Sequence, residues 1–391
     1  MDYNAAALAI HEKNRGKLTV QSLVPVKDRD ALSTAYTPGV AEPCRHIAKN
    51  PEDVYKYTLK GRTVAVVTNG TAVLGLGNIG PEAGLPVMEG KCALFKEFGG
   101  VDAFPICLNA GTKEEVVAAV KAIAPTFGGI NLEDIRSPEC FAIEEELERD
   151  LDIPVFHDDQ HGTAIIVLAG VLNALKVVGK DIRSIRVVQN GPGAAGTAII
   201  RMLQTAGVQD IIAVDEHGIL VPGRSAGLEG HKAALAERTN PRRVTGGLAE
   251  AIRGADLFIG TSVAGALTPE MAASMAPDAI VFAMANPNPE IMPDAAKAAG
   301  VRVVGTGRSD FPNQVNNVLA FPGIFKGALS VRARDINDEM KLAAAHALAA
   351  LIPDAELSEE NILPKAFDPR VADAVAGAVA KAARESGVAR V

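Results

Sequence analysis

The 391-residue chain has no tryptophan, and only 4% of its residues are aromatic. That excludes a base-stacking platform for single strands and an aromatic cage for a quaternary ammonium, because both need several exposed rings. Cysteine is sparse as well. Cys44, Cys92, Cys107 and Cys140 stand alone, none in C-x-x-C spacing. A disulfide framework or zinc ribbon is therefore not expected, and free reduced core thiols are. No basic stretch followed by an apolar run opens the sequence, and the longest apolar run, Ala164–Leu172, is about half a membrane span. Neither a signal peptide nor a membrane partner is expected, and the expected compartment is the cytoplasm. Bases are fewer than acids, 39 against 47, giving a net charge of −8 that argues against nucleic acid as a partner.

What is present is apolar and glycine-rich: 48% hydrophobic residues and 37 glycines. The length favours two or three domains with a large core. All four tyrosines and all four cysteines lie before residue 160. Beyond it, short apolar runs alternate with helical patterns. Strands are expected at Ile185–Gln189, Ile211–Asp215, Leu257–Thr261, Ile280–Ala285 and Val301–Gly305. Helices are expected at Ala195–Ala206 and Leu248–Arg253, and after the Thr268-Pro269 start. The segments Asp335–Leu351 and Arg370–Arg384 also read as helices, able to fold back on the first domain. Before residue 160, strand ends are expected at Thr63–Thr68, Ala103–Cys107 and Gly129–Asn131, with a further strand at Ile153–Phe156. The fold class is thus α/β with two domains. Residues 1–160 form an N-terminal α/β catalytic domain, and residues 161–391 a Rossmann-type doubly wound parallel sheet with C-terminal helices.

Two G-x-G-x-x-G matches occur. Gly191-Pro192-Gly193-Ala194-Ala195-Gly196 follows a strand pattern and opens a helix pattern, and Asp215 ends the next strand. That is the context of a dinucleotide site, with the pyrophosphate at the helix N-terminus. Asp215 and Glu216 favour NAD through a free ribose hydroxyl, while Arg224 and Lys232 downstream leave NADP open. The other match, Gly75–Gly80, is followed at once by Pro81 and Gly84, so no long helix is expected there. It reads as a substrate-side loop.

Glu133-Asp134 and His157-Asp158-Asp159-Gln160-His161 each follow an apolar run. Adjacent acids at strand ends suit a hard cation, Mg²⁺ or Mn²⁺. Capping of a helix beginning near Gly162 by Asp158 or Asp159 is the alternative. The two histidines lack the central Glu of a zinc protease and read as supporting groups. Tyr36 on a Pro-Gly turn and Lys91 after Gly90 carry little by themselves.

Seven segments taken in order resemble the malic enzyme family, in particular its small bacterial branch. They are Ser33–Pro43 (STAYTPGVAEP), Thr68–Gly80 (TNGTAVLGLGNIG), Gly84–Leu94 (GLPVMEGKCAL), Gly129–Ile135 (GINLEDI), Val155–Ala164 (VFHDDQHGTA), Ala285–Pro289 (ANPNP) and Asn313–Gly323 (NQVNNVLAFPG). The resemblance implies oxidative decarboxylation of malate with NAD or NADP and Mg²⁺ or Mn²⁺. It implies Tyr36 as general acid, Lys91 as general base and Asp158 as the partner orienting Lys91. It gives Glu133, Asp134 and Asp159 as metal ligands, and Asn286 and Asn317 as amides at the substrate and nicotinamide. Larger family members carry an Arg on a substrate carboxylate two residues before the Leu-Gly-Leu-Gly run. Ala72 stands there in this chain. Backbone N–H groups of Gly75–Gly80, helped by Thr71, are the candidates for that carboxylate. Lys91 must be neutral to act, and a nearby cation with partial burial is expected to depress its pKa. A metal-independent amino-acid- or folate-type dehydrogenase and a non-catalytic dinucleotide sensor are the competing readings. A homodimer is expected, with Tyr36 able to serve the partner's site.

Overall fold

A computed structural model describes residues 2–391. Two parallel sheets organise it. Strands β1 (Thr63–Thr68), β2 (Asp102–Cys107), β3 (Gly129–Leu132) and β4 (Val155–His157) form the first, in the order β2-β1-β3-β4. Val, Ile and Phe recur along these strands, and they suit strands covered on both faces. β1 and β3 are buried at every position.

The second sheet holds β5 (Arg186–Asn190), β6 (Asp210–Asp215), β7 (Gly218–Ile219), β8 (Leu257–Gly260), β9 (Ile280–Ala283) and β10 (Val303–Thr306). Their order is β10-β9-β8-β5-β6-β7. The order reverses at β5/β8, the switch point where a doubly wound sheet opens a ligand crevice. β7 is short and antiparallel to β6, which differs from a wholly parallel sheet. The α/β class and the Rossmann-type arrangement both hold.

The 21-residue helix Asp158–Val178 runs from the end of the first sheet into the core beside the second. It is long and apolar enough to cross a bilayer, yet two-thirds of it is buried inside the protein (67%). Its partners are other core helices. The helix Phe321–Ser330 closes the gap on the far side. Its Phe321 and Phe325 rings meet Phe95 at 4.7 and 5.4 Å between centroids, and Phe325 also meets Phe156 at 5.9 Å. The helix Val371–Glu385 packs closely behind it: a Cβ on Gly323 would lie 2.7 Å from Val375 Cβ. The C-terminal part therefore folds back on the first sheet's helix, as the sequence suggests.

Two expectations need correction. A 19-residue helix, Pro81–Gly99, starts directly after the Gly75–Gly80 loop. Pro81 sits at the first helical turn, where a missing N–H costs nothing. Burial of Met88, Cys92 and Phe95 offsets the interior Pro86 and the glycines. The thiols are all free, but Cys44 is exposed rather than in the core. Cys92 and Cys140 are buried, and burial pushes Cys140 up to about 12.

Candidate active site

The ends of β3 and β4 lie side by side, with Leu132 paired to His157. The residues just beyond them, Glu133-Asp134 and Asp158-Asp159, are thereby brought together. Neither Asp158 nor Asp159 caps a helix by its side chain. The helix starts at Asp158, not near Gly162, and both acids occupy its first turn, where the dipole favours negative charge. Glu133, Asp134 and Asp159 each offer an oxygen within 4.8 Å of the others. Asp159 Oδ2 accepts the Asp134 backbone N–H at 2.8 Å and lies 3.3 Å from His157 Nε2. Glu133 is buried, and its Oε2 accepts Asn131 Nδ2 at 2.9 Å.

Lys91 approaches from the Pro81–Gly99 helix. Its Nζ donates to Asp158 Oδ2 at 2.5 Å, lies 2.9 Å from Glu133 Oε1 and sits 4.2 Å over the Phe321 ring. Burial works against the ammonium, but Asp158, Glu133 and Asp159 outweigh it and hold Lys91 above the usual lysine range. The depression expected belongs to the cation-bound site; in the chain alone two carboxylates face the amine and set the opposite direction. Burial pushes the Glu133 carboxyl well above its usual range. Lys91 pulls it down, and repulsion from Asp159, Asp158 and Asp134 pushes it further up. Crowded, desolvated carboxylates of this kind are the donor set a hard divalent cation satisfies.

Asp158 is held from three sides. Asn317 donates to the same Oδ2, and Gly162, one turn along the helix, leaves room for Oδ1. A Cβ at Gly162 would fall 1.9 Å from that oxygen. Behind the turn, buried Glu144 accepts the His157 N–H at 2.7 Å, Gln160 Nε2 at 2.8 Å and pairs with His161 at 3.0 Å. The two histidines are thus supporting groups.

A cavity of about 970 Å³ joins this cluster to the second sheet. Lys91, Glu133, Asp134, Asp159, Ala194, Ala195, Asn286 and Asn317 all line it. Gly191 turns with φ +90°, and a Cβ there would lie 2.5 Å from Thr261 O. A Cβ on Gly193 would meet nothing within 4 Å, leaving space for a phosphate, while one on Gly196 would strike Gly191 O at 2.2 Å. These are the three demands of a dinucleotide turn.

Three expected residues are placed differently. Tyr36 is 67% exposed and does not line its own chain's cavity. Thr71 also lies outside the lining. Its hydroxyl donates to Asn69 Oδ1 at 2.6 Å and accepts the Arg136 backbone N–H at 3.1 Å, so it is committed to those two partners. Asp215 accepts Arg224 twice at 2.7 Å, Lys232 at 2.9 Å and the His217 N–H at 2.9 Å. Its two oxygens offer about four acceptor positions, and four donors occupy them. Arg224 and Lys232 outweigh its burial and bring it down to about 2. Sequence reasoning missed Glu144, Glu290 and Lys17. Glu290 is fully buried and ties the Ser262 and Ala285 N–H groups at 2.8 and 3.0 Å, joining the loops after β8 and β9. Only its place in the Asn-Pro-Asn-Pro-Glu run distinguishes it in the sequence.

Fold and site together define a two-sheet α/β dinucleotide-binding oxidoreductase with a lysine beside three carboxylates spaced to hold a metal ion. The description "Malic enzyme, N-terminal domain" matches residues 15–148 and "Malic enzyme, NAD binding domain" matches residues 160–384. The chain is 60% identical over 391 residues to a bifunctional malic/malolactic enzyme of Bacillus subtilis, covering 100% of this chain and 95% of that one. It is 57% identical over 376 residues to an NAD-dependent malic enzyme of Geobacillus stearothermophilus, covering 96% and 78%. The crystal structure of a malic enzyme from Pyrococcus horikoshii superposes with a TM-score of 0.96 at 52% identity, covering 100% and 92%. The chain belongs to the malic enzyme family, whose reaction is the NAD(P)-linked oxidative decarboxylation of malate.

Gly162→Ala is expected to displace Asp158 and lower kcat/KM by about a hundredfold or more, a loss of positioning rather than of fold. Steady-state rates beside a thermal melt check it. A variant at wild-type rate removes Asp158's fixed position from the account.

Proposed function

We propose that Lys91 is the base for malate oxidation in this chain, that Asp158 orients it, and that Glu133, Asp134 and Asp159 hold a divalent cation. The observation that carries this is the buried Lys91 ammonium between Asp158 and Glu133, in contact with the carboxylate trio. A bound divalent cation would compete with Lys91 for the Glu133 charge and stabilise negative charge on the C2 oxygen, and bound NAD(P) would supply the hydride acceptor. Lys91 acts from its neutral form, after its own proton has left to solvent: Nζ then takes the C2 hydroxyl proton, and Asp158 and Asn317 hold the amine in line for it. Asn286 and Asn317 line the cavity as amides for substrate and nicotinamide. Tyr36 gives a proton to C3 once CO₂ has left. The carboxylate trio argues against a metal-independent dehydrogenase, and the Lys91–Asp158 pair against a sensor.

The division of labour falls near residue 160, with the metal and proton-transfer groups before it and the dinucleotide sheet after it. Asp215 has no acceptor position left for a ribose hydroxyl, and two cations flank it. That supports use of NADP as well as NAD and weakens the lean to NAD.

A homodimer is the second part of this reading. The helices Tyr3–Asn14, Arg29–Ala35 and Ala41–Lys49 bury no residue, and Leu8, Val20, Leu23 and Tyr36 are exposed between and on them. An apolar arm of this kind suits a second copy of the chain. Tyr36 on that arm would then complete the partner's cavity.

Purified protein with malate and Mn²⁺ is expected to reduce the dinucleotide, measured by its absorbance, and Lys91→Met to lower kcat by about a thousandfold or more. Near-wild-type rates in that variant would refute the role of Lys91. Mixed dimers of Tyr36→Phe with Lys91→Met carry one intact site if Tyr36 acts across the interface. They should recover about half of the wild-type rate. No recovery in verified mixed dimers places Tyr36 in its own chain's site.

A further inference from the structure

Malate carries two carboxylates, and chelation at the Glu133–Asp134–Asp159 trio accounts for one of them. The other needs a cation or a set of donors. Ala72 cannot supply either from its side chain, and Thr71 is committed elsewhere. Among the described residues, three cationic side chains line the cavity: Lys17, Lys91 and Arg136. Lys91 is engaged by Asp158 and Glu133. Arg136 is paired with Glu139 at 2.8 Å.

Lys17 differs from both. Its Nζ donates to one backbone carbonyl, Pro86 O, at 2.7 Å. An ammonium has three donors, so two remain. Glu89 acts on its charge, yet no carboxylate contacts Nζ among the described residues. Partial burial draws Lys17 below the usual lysine range, with Glu89 opposing, so an incoming anion would relieve a partly desolvated charge. The segment is also fixed in place. The Lys17 backbone N–H donates to Glu89 Oε2 at 2.7 Å. Gly16 has φ +112°, and a Cβ there would lie 2.8 Å from Glu89 Oε1. Glu89 and Gly16 thereby clamp Lys17 onto the Pro81–Gly99 helix. Its ammonium lies beside Gly90, the residue before Lys91: a Cβ on Gly90 would be 3.7 Å from Nζ.

We propose that Lys17 binds the malate carboxylate left free by the metal trio and so selects a dicarboxylate over a monocarboxylic 2-hydroxy acid. The proposal rests on the malate reading above. Lys17 supplies charge to the bound substrate and takes no part in proton transfer. A hold present from binding through reaction lowers KM and leaves kcat nearly unchanged.

The test compares malate with oxalate. Oxalate offers two adjacent oxygens to a metal, like the C1 carboxylate and C2 oxygen of malate, and has nothing to reach Lys17. Lys17→Met should raise the KM for malate about ten- to a hundredfold, change kcat less than about threefold, and leave the oxalate inhibition constant unchanged. Lys17→Arg keeps the charge and should recover most of the lost affinity. A malate KM within about twofold of wild type in Lys17→Met overturns the proposal. Equal weakening of malate and oxalate also overturns it, because that signature belongs to damage at the metal end. A wild-type chain that turns over no malate is a separate result, and it overturns the malate reading together with this one.

Discussion

Everything in the site depends on one buried ammonium. Lys91 Nζ lies between Asp158 and Glu133, and both acids are buried. Removing one partner of such a set leaves an unmatched buried charge, at a cost of about 3–5 kcal/mol. The three groups come from separate parts of the sequence: a helix of the first sheet, the end of β3, and the turn after β4. Their contact therefore requires the register of the first sheet, in which Leu132 faces His157. The same register brings Asp134 and Asp159 within reach of one cation. An arrangement that relieves the crowding of Glu133 also changes what Lys91 can do with its proton.

Supporting groups surround this point rather than extend it. Phe321 covers the Lys91 ammonium, so the C-terminal helices shape the polarity of the site. Asn317, from the same region, fixes Asp158. Glu144 holds the turn from behind through His157, Gln160 and His161. On the nucleotide side, Glu290 ties together the two loops that bring Thr261 and Asn286 to the cavity. Glu144 and Glu290 are each satisfied by several donors, which is the condition for a polar core to specify one geometry.

How much of this the sequence discloses follows from the range of each interaction. β-branched runs and the Gly191–Gly196 turn are local, so strands β5, β6, β8 and β9 and the dinucleotide helix are legible within a residue or two. The acids at 133–134 and 158–159 are legible as candidates because each pair ends an apolar run. The Pro81–Gly99 helix is not, because its local signals, Pro86 and three glycines, oppose it, and burial against β1, β2 and the Phe321–Ser330 helix sustains it. Asp215 reads as a ribose acceptor in one dimension. Arg224 and Lys232 occupy it through a loop whose path no local pattern shows. Lys17 and Glu144 are ordinary surface letters until Glu89 and His157 stand next to them.

The proposed cation site lies at the carboxylates beyond β3 and β4, beside Lys91. Direct titration of Mn²⁺ into folded protein, without substrate or dinucleotide, tests it most plainly. One strong site per chain is expected in the wild type, with a loss of about tenfold or more in affinity for Asp159→Asn and a melting temperature nearly unchanged. Equal Mn²⁺ affinity in the two proteins would contradict it.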